Sequence, residues 1–425
     1  MCKRIMLWVL LLCPLFTVWA QSPVPAPPQS KPIAVVGATI HRGDGEVIEN
    51  GLLTFDNGII TSVDRADAKV SLKDHTVIDA TGKHIYPGFI APNSQLGLIE
   101  IGAVRATVDA AETGDLNPNA RALIAYNTDS QVIPTVRSRG VLYTQTTPEG
   151  GLVAGQSSIM QMDAWNWEDA AVLADDGMHV YWPNRQTYNW REGTFGKNER
   201  YEEEVQQWVD FLNEARAHCD NPDAPANLKL SACCRLFKGE QRLFIHADQA
   251  KDIAQAVLIA HDAGIKVIIT GGAESYMVAD VLKAHQVPVV LGPTHALPNT
   301  LDTDVDQPFK TPALLYQAGV QFCLSNEGFW QQRNLPFQAG SAVAYGLPYE
   351  QAVKAITLDA AQILGVADRI GSITTGKNAS FIITTGDALD MRTNQVTHAF
   401  IQGRAIDLDN KQEVLYRKFQ AKYQE

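Results

Sequence analysis

Short apolar runs rich in β-branched residues occur at both ends of the chain. They predict strands at 33–40, 52–55, 59–63, 76–78, 380–384 and 397–401. Asp56-Asn57-Gly58 separates two of these runs, and Asn and Gly tolerate the positive φ angles that a tight hairpin requires. The pattern therefore predicts a small β-domain to which both chain ends contribute.

The middle of the chain alternates short apolar runs with longer amphipathic stretches. Strands are predicted at 86–91, 141–146, 155–162, 179–182, 243–247, 266–270, 288–291 and 320–324. Helices are predicted at 248–263, 274–285 and 349–364. Alternating strands and helices favour a parallel sheet, and eight such units favour a closed barrel. The predicted fold is α/β, a TIM-type (β/α)8 barrel plus a small β-sandwich domain formed from both chain ends.

The first twenty residues have the pattern of a secretory signal. Lys3 and Arg4 precede an apolar run, and small residues near Ala20 suit a cleavage point before Gln21. The run is short for a membrane span, which needs roughly 20 apolar residues. We expect export to the periplasm or the extracellular space. The predicted order is signal peptide 1–20, Pro-rich linker 21–32, β-domain 33–86, barrel 87–370, and β-domain with tail 371–425.

Charge and cysteine content restrict the partners and the compartment. A net charge of −12 argues against nucleic acid as a partner. In an oxidising compartment Cys219 could pair with Cys233 or with Cys234, and both pairings stay open. Cys323 lies inside an apolar run, which indicates a buried core residue.

Several motifs resemble those of amidohydrolase-superfamily enzymes. Pro87-Gly88-Phe89-Ile90 is similar to the entry into their barrel, and Gly371-Ser372-Ile373 with 376–380 resembles the return into their small β-domain. Further motifs are similar to the imidazolonepropionase-like branch: Gly150-Gly151, Gly155-Gln156, Arg333-Asn334-Leu335-Pro336, Gln338-Ala339-Gly340, Tyr345-Gly346-Leu347 and Ile356-Thr357. The resemblance extends over nearly all of the chain that follows the signal.

The resemblance implies a metal site at the C-terminal mouth of the barrel. Such enzymes typically use a His-x-His pair after the first strand, a Lys or another bridging ligand from the fourth, one His each from the fifth and sixth, and an Asp from the eighth. The metal lowers the pKa of a bound water and polarises the carbonyl, while the Asp handles the proton.

The chain departs from this ligand pattern at several positions. Asn93 and Gln95 stand where the histidine pair is expected, Gly271 stands where the sixth-strand histidine is expected, and Tyr181-Trp182-Pro183 offers no lysine. Neutral amides are poor zinc ligands compared with imidazole, thiolate or carboxylate. The sequence therefore predicts a degenerate metal site, with either no cofactor or a single divalent metal, zinc being the expected ion.

Six residues remain as candidates for the site. His246 and Glu327 are the predicted catalytic residues, and His246 is also the predicted metal ligand. The predicted substrate-binding residues are Asn93, Gln95, Glu274 and His295. Two alternatives stay open: His246 is hydrogen-bonded without a metal, or Glu327 pairs with Arg333. An aromatic cluster of Trp165, Trp167, Trp182 and Trp190 is either packing or a wall for a ligand.

Two functions follow from this reading. By resemblance, the chain is a hydrolase of carbon–nitrogen bonds in non-peptide amides or cyclic amides, with reduced or single-metal activity. The alternative is a non-catalytic barrel that binds a small molecule or pairs with an intact relative. The expected partners are a small-molecule substrate or ligand and a second subunit, either a copy of this chain or that intact relative.

Overall fold

The computed structural model describes residues 24–67, 71–189, 191, 193–298, 300 and 302–424. The predicted signal peptide and Trp190 lie outside the described residues. Within these ranges, no helix has the length and apolar character that a membrane crossing requires.

Strands form the framework of both parts of the chain. In chain order they are β1 Ile33–His41, β2 Val47–Asp56, β3 Ile59–Arg65, β4 Thr76–Asp79, β5 His84–Pro87, β6 Phe89–Ser94, β7 Val141–Thr146, β8 Val153–Gln161, β9 Ala171–Tyr181, β10 Gln186–Asn189, β11 Thr194–Lys197, β12 Arg242–Ala247, β13 Val267–Gly271, β14 Val289–Leu291, β15 Phe322–Leu324, β16 Phe381–Thr384, β17 Val396–Ile401 and β18 Arg404–Ala405.

Helices connect and cover the strands. They are α1 Val132–Arg137, α2 Trp167–Ala170, α3 Tyr201–Asp220, α4 Leu228–Ala232, α5 Cys234–Phe237, α6 Ala250–Asp262, α7 Ala279–Ala284, α8 Gln307–Ala318, α9 Leu335–Ala344, α10 Tyr349–Ala355, α11 Leu358–Leu364 and α12 Lys411–Tyr423. The single helix predicted at 349–364 is two helices, α10 and α11, interrupted at Ile356-Thr357.

The small β-domain is built from both chain ends, as predicted. Its strands are hydrogen-bonded in the order β18-β17-β16-β5-β1-β2-β3, and β4 also pairs with β1. The ring of Phe55 on β2 lies 5.3 Å from that of Phe381 on β16 and 5.2 Å from that of Phe400 on β17. All three rings are buried, so two strand layers pack face to face around an aromatic core while sharing one continuous hydrogen-bonded sheet.

The barrel contains the eight predicted strands, in the order β15-β14-β13-β12-β9-β8-β7-β6. One feature differs from the predicted (β/α)8 plan, because β8 runs antiparallel to both β7 and β9. The reason is connection length: a parallel return needs about a dozen residues or more. The connections 147–152 and 162–170 are shorter than that, so β7, β8 and β9 form a meander within an otherwise parallel sheet.

Hydrogen bonds bring the first and last barrel strands together. Ser325 Oγ, just after β15, donates to the carbonyl of Pro92 on β6 at 2.9 Å. The backbone N–H of Gln95 donates to the carbonyl of Gly328 at 3.0 Å. These contacts bring the segment after β6 against the loop that carries Glu327.

A buried carboxylate joins the barrel to the β-domain. Asp163, after β8, lies 3.0 Å from Arg137 Nη1 of α1 and 2.6 Å from Arg404 Nη1 of β18. The backbone N–H of Ala26 also donates to Asp163, at 3.0 Å. One side chain therefore neutralises two guanidinium groups and fixes the chain that precedes the first strand.

The cysteine pairing is one of the two that the sequence left open. Cys219 at the end of α3 is bonded to Cys234 at the start of α5. Cys233 and Cys323 are buried thiols, as predicted for Cys323. The bond ties α3 to the short helices that precede β12.

We predict that Asp163→Asn destabilises the protein by about 3–5 kcal/mol, because it removes the carboxylate that two arginines share, Arg137 being deeply buried. Denaturant unfolding followed by circular dichroism measures the effect. Asp390→Asn is the matched control, since Asp390 forms a solvent-exposed pair with Arg392. Equal unfolding midpoints for the two variants would contradict the role of Asp163.

Candidate active site at the barrel mouth

Four neighbouring strand ends surround a pocket at the barrel mouth. Asp248 follows β12, Gly271 ends β13, Gly292 follows β14, and Glu327 lies just beyond β15. The pocket has a volume of about 190 Å³. A loop and the start of α8 complete its wall with Pro293, Ala296, Leu297, Pro298, Gln307 and Thr311. Carboxyl ends of parallel barrel strands are where such folds carry their chemistry.

Glu327 projects from a constrained backbone position into this pocket. Its φ is 47°, which is unusual for a residue with a side chain. The side-chain amide of Gln332 holds the turn by donating to the carbonyls of Glu327 and Gly328, at 2.9 and 3.0 Å. The carboxylate remains open to solvent, but the pocket wall displaces part of its hydration. This desolvation, together with the negative charge of Asp248, raises the pKa of Glu327.

Asp248 occupies the space that a side chain at position 271 would need. Gly271 has a φ of 91°, and a Cβ added to it would lie 2.7 Å from Asp248 Oδ1. The carboxylate is oriented by the backbone N–H of Ala273, which donates to Oδ1 at 3.1 Å. The position where the resemblance places a histidine therefore excludes one while Asp248 keeps this conformation.

Glu274 lines the same pocket and also caps the N-terminus of α6. Its Oε2 accepts a hydrogen bond of 2.8 Å from the backbone N–H of Ala250, the first residue of α6. A carboxylate at a helix N-terminus satisfies an otherwise unpaired donor and interacts favourably with the helix dipole. A substrate-binding role for Glu274 stays a prediction, with one carboxylate oxygen engaged in capping.

His246 lies where the barrel interior meets the mouth. Its Nε2 is 2.9 Å from Nδ1 of His179, and its ring stacks on Tyr181 with centroids 4.0 Å apart. Enclosure by these rings lowers the pKa of His246 to about 3, so the imidazole is neutral at physiological pH. Burial and the negative charges of Glu149 and Glu327 raise the pKa of Tyr181, and the His246 ring stacked on it is partly exposed.

Asn93 and Gln95 are both buried beneath the mouth. The backbone N–H of Asn93 donates to the side-chain oxygen of Gln145 at 3.1 Å, and Asn93 itself has a φ of 49°. Its Oδ1 is buried and has no hydrogen-bond partner among the described residues. Neither amide is among the residues that line the mouth pocket. Their predicted contact with substrate stays untested.

His295 follows a pocket residue, yet its ring turns towards two helices. Nε2 lies 2.6 Å from Ser341 Oγ on α9, and the ring lies 6.0 Å from that of Phe309 on α8. Burial between these helices lowers the pKa of His295. The described contacts of His295 are with these helices, and a role in substrate binding stays a prediction.

Arg333, the alternative partner for Glu327, is engaged elsewhere. Its guanidinium donates to the carbonyl of Trp330 and lies over the Trp330 ring. No ion pair joins it to Glu327 within the part of the chain that the structure describes. Glu327 thus keeps its carboxylate in the pocket.

Comparisons with known proteins point to one superfamily. A model of the amidohydrolase family matches residues 312–406, which include Glu327 and the return to the β-domain. Amidohydrolase tasK of Hapsidospora irregularis is 22% identical over 91% of this chain and 42% of its own length. A dihydroorotase of Thermoanaerobacter sp. (strain X514) is 27% identical over 34% of this chain and 35% of its own length. The chain spans less than half the length of either relative.

Alignments with solved structures cover most of both chains. An amidohydrolase from Thermotoga maritima MSB8 aligns with 88% of this chain and 99% of its own, with a TM-score of 0.79 and 25% identity. The chain belongs to the amidohydrolase superfamily. A prolidase solved with N-methylphosphonate-L-proline has the same fold at a TM-score of 0.55 and 16% identity, covering 88% of this chain and 99% of its own.

A single-metal site in this amidohydrolase-superfamily chain stays a prediction. A catalytic zinc usually needs three protein ligands. Among the residues that the structure describes, no three His, Cys, Asp or Glu side chains are grouped to hold a metal ion. The Nε2 of His246 is hydrogen-bonded to His179, which leaves only Nδ1 to coordinate a metal ion.

The superfamily resemblance did not point to several residues that the structure brings together. Gln145, Ser157, Asp176 and His179 form a buried polar cluster that leads to His246 inside the barrel. The signal available in the sequence was the presence of polar residues within predicted barrel strands or beside them. Asp248, two residues beyond His246, could have been found as a carboxylate following a strand end.

We predict that Gly271→Ala destabilises this amidohydrolase-superfamily barrel by about 1–2 kcal/mol through its left-handed backbone alone. The approach to Asp248 Oδ1 adds a steric cost. A double-mutant cycle with Asp248→Ala, followed by denaturant unfolding, separates the two contributions. We expect Gly271→Ala to cost less in the Asp248→Ala background. An equal cost in both backgrounds would show that Asp248 does not fill this space.

Proposed function

We propose that this chain hydrolyses the C–N bond of a small amide or cyclic amide held in the mouth pocket, with Glu327 as the base. The observation that carries the proposal is the pair of carboxylates, Glu327 and Asp248, on one pocket at the strand ends of an amidohydrolase-superfamily barrel. The names of the relatives, an amidohydrolase and a dihydroorotase, support this reaction class.

The electrostatics of the pair suit acid–base chemistry. Two neighbouring carboxylates resist simultaneous ionisation, and the pKa of Glu327 is raised. A carboxylate with a raised pKa is a stronger base than an ordinary one, provided that the pH is high enough to ionise it. Glu327 therefore acts as a base at pH values above its raised pKa, and the charge of Asp248 helps to set that pKa.

The proposed reaction follows from these roles. Glu327 accepts a proton from a water molecule as the water oxygen forms a bond to the amide carbon. The resulting tetrahedral species collapses with cleavage of the C–N bond. Glu327 then returns the proton to the departing nitrogen, so the carboxylate is regenerated and the products are an acid and an amine.

The pocket indicates a small substrate or a small part of a larger one. Its volume of about 190 Å³ is below the range that is usual for drug-sized ligands. Part of its lining is apolar and includes Leu297, Pro298 and Pro308. An amide with a short apolar or cyclic body would place its polar bond towards Glu327.

A second candidate function is binding without turnover. The three positions at which the resemblance places histidines are occupied by Asn93, Gln95 and Gly271. These replacements favour binding without turnover. At the third of these, Asp248 fills the space of the missing side chain. In this version the barrel binds a small molecule alone or acts as a subunit beside an intact relative, and the degenerate metal site leaves no activity.

Export is also part of the proposal. The disulfide between Cys219 and Cys234 supports an oxidising compartment, as does the signal pattern of the first twenty residues. Mass spectrometry of the protein recovered from the periplasm or medium would identify its N-terminus. Recovery only from the cytoplasm with Met1 intact would contradict export.

We predict that Glu327→Gln lowers kcat/KM for a responsive substrate by about 10²–10⁴, because it removes the general base while keeping the side-chain shape. The assay is a panel of small amides, cyclic amides and prolyl dipeptides. Asp248→Asn is expected to move the acid limb of the pH–rate profile to lower pH, since it removes the charge that raises the pKa of Glu327. Asp304→Asn, a carboxylate paired with Lys310 outside the pocket, is the control.

Measuring the metal content of the same preparations distinguishes the carboxylate mechanism from a single-metal mechanism. Turnover with less than about 0.1 metal per chain supports the carboxylate mechanism, since a metal-activated water needs near-stoichiometric metal. Turnover that requires stoichiometric zinc or manganese would replace that mechanism with the single-metal site predicted from the sequence. Absence of turnover across the panel, with and without added metal, would leave the binding function.

A further inference from the structure

A continuous chain of hydrogen bonds crosses the barrel interior and ends at His246. Gln145 Nε2 lies 3.1 Å from Ser157 Oγ and 2.9 Å from Asp176 Oδ2. Ser157 Oγ lies 2.8 Å from Asp176 Oδ1 and 2.9 Å from His179 Nε2. His179 Nδ1 then meets His246 Nε2 at 2.9 Å. Gln145, Ser157, Asp176 and His179 are buried, and one further acceptor, the carbonyl of Gly177, lies 3.3 Å from Ser157 Oγ.

The position of each hydrogen follows from the chemistry of the groups. An ionised Asp176 can only accept, so the hydroxyl of Ser157 must donate to it. Ser157 has then used its only hydrogen and accepts from both Gln145 and His179. Nε2 of His179 therefore carries a hydrogen.

The same argument extends to the mouth. An imidazole is ordinarily neutral at pH 8, so with its hydrogen on Nε2 the ring of His179 has a bare Nδ1. A bare Nδ1 can only accept, so Nε2 of His246 must donate to it. Since His246 is neutral as well, its own Nδ1 carries no hydrogen. This Nδ1 has no hydrogen-bond partner in the described part of the chain.

We propose that Asp176, Ser157 and His179 form a directional relay that holds His246 as the Nε2–H tautomer and leaves its Nδ1 as a bare acceptor at the barrel mouth. The three residues are positioning residues, because they act through His246. The ligand class that this nitrogen recognises is a hydrogen-bond donor, such as an amide N–H or a hydroxyl. The inference does not depend on the proposed hydrolysis, since it concerns which nitrogen carries the proton.

Protonation of Asp176 reverses every bond in the relay. A protonated Oδ1 donates to Ser157, and Ser157 then donates to His179 Nε2, which at 2.9 Å is nearer than its other acceptor, the Gly177 carbonyl at 3.3 Å. His179 Nδ1–H donates in turn to His246 Nε2. His246 then carries its hydrogen on Nδ1 and becomes a donor to the ligand. Burial raises the pKa of Asp176 to about 6, against hydrogen bonds from Ser157 and Gln145 and the positive charge of Arg242. The reversal is therefore expected in the mildly acidic range.

An asparagine at position 176 should impose the reversed state at every pH. Its Oδ1 would accept from Gln145 while its Nδ2 donates to Ser157, which satisfies both neighbours. Ser157 then has two acceptors left, His179 Nε2 at 2.9 Å and the carbonyl of Gly177 at 3.3 Å, and donation to the nearer one gives the reversed state. Asp175→Asn is the matched control, because Asp175 is the adjacent residue but pairs with Arg121 outside the relay.

The test is two-bond ¹H–¹⁵N NMR of the ¹⁵N-histidine-labelled full-length chain at pH 8, with signals assigned by His246→Gln and His179→Gln. We expect a bare Nδ1 and a protonated Nε2 for His246 in the wild type and in Asp175→Asn. In Asp176→Asn we expect the two nitrogens to exchange roles. A protonated Nδ1 in the wild type, or an unchanged tautomer in Asp176→Asn, would overturn the relay.

A second measurement keeps the proposal testable if Asp176→Asn fails to fold. The wild-type protein is titrated from pH 8 to pH 5 while the nitrogens of His246 are followed. Exchange of the tautomer with a midpoint near 6 supports the relay. A constant tautomer across this range would overturn it. In a folded Ser157→Ala variant the relay is cut, and the tautomer of His246 should no longer follow the ionisation of Asp176.

Discussion

The hydrogen-bonded chain inside the barrel is the interaction on which the rest of the site depends. A polar group buried without a partner costs about 1–3 kcal/mol, so a barrel interior with a carboxylate, two histidines and a serine must satisfy them together. Asp176, Ser157 and His179 do so through a single direction of donation. That direction fixes which nitrogen of His246, near the end of β12, carries the hydrogen.

The mouth itself is organised by carboxylates. Asp248 fills the space above Gly271. Desolvation together with the charge of Asp248 raises the pKa of Glu327, which lies at a left-handed turn beside the pocket. Backbone strain of this kind persists only where surrounding contacts hold it, as the Gln332 amide does here. The pocket therefore presents two carboxylates, and the pKa of one of them, Glu327, is raised.

The sequence predicted most of the fold because hydrophobic periodicity reports on strands directly. All eight barrel strands and the two-ended β-domain were anticipated, but the reversed direction of β8 was not, since direction depends on connection length. In the site, Glu327 was predicted from its place after the last barrel strand and lines the mouth pocket, while its catalytic role stays a prediction. The relay was missed because Gln145, Asp176 and His246 are far apart in the chain, and only folding shows that they are neighbours.

Neutron diffraction from deuterium-exchanged crystals at neutral pD would test the central claim most directly, because it locates the hydrogens. The account predicts deuterium on Ser157 Oγ directed at Asp176, on Nε2 of His179, and on Nε2 of His246, with Nδ1 of His246 bare. Deuterium on Nδ1 of His246, or a metal ion bonded to that nitrogen, would contradict it.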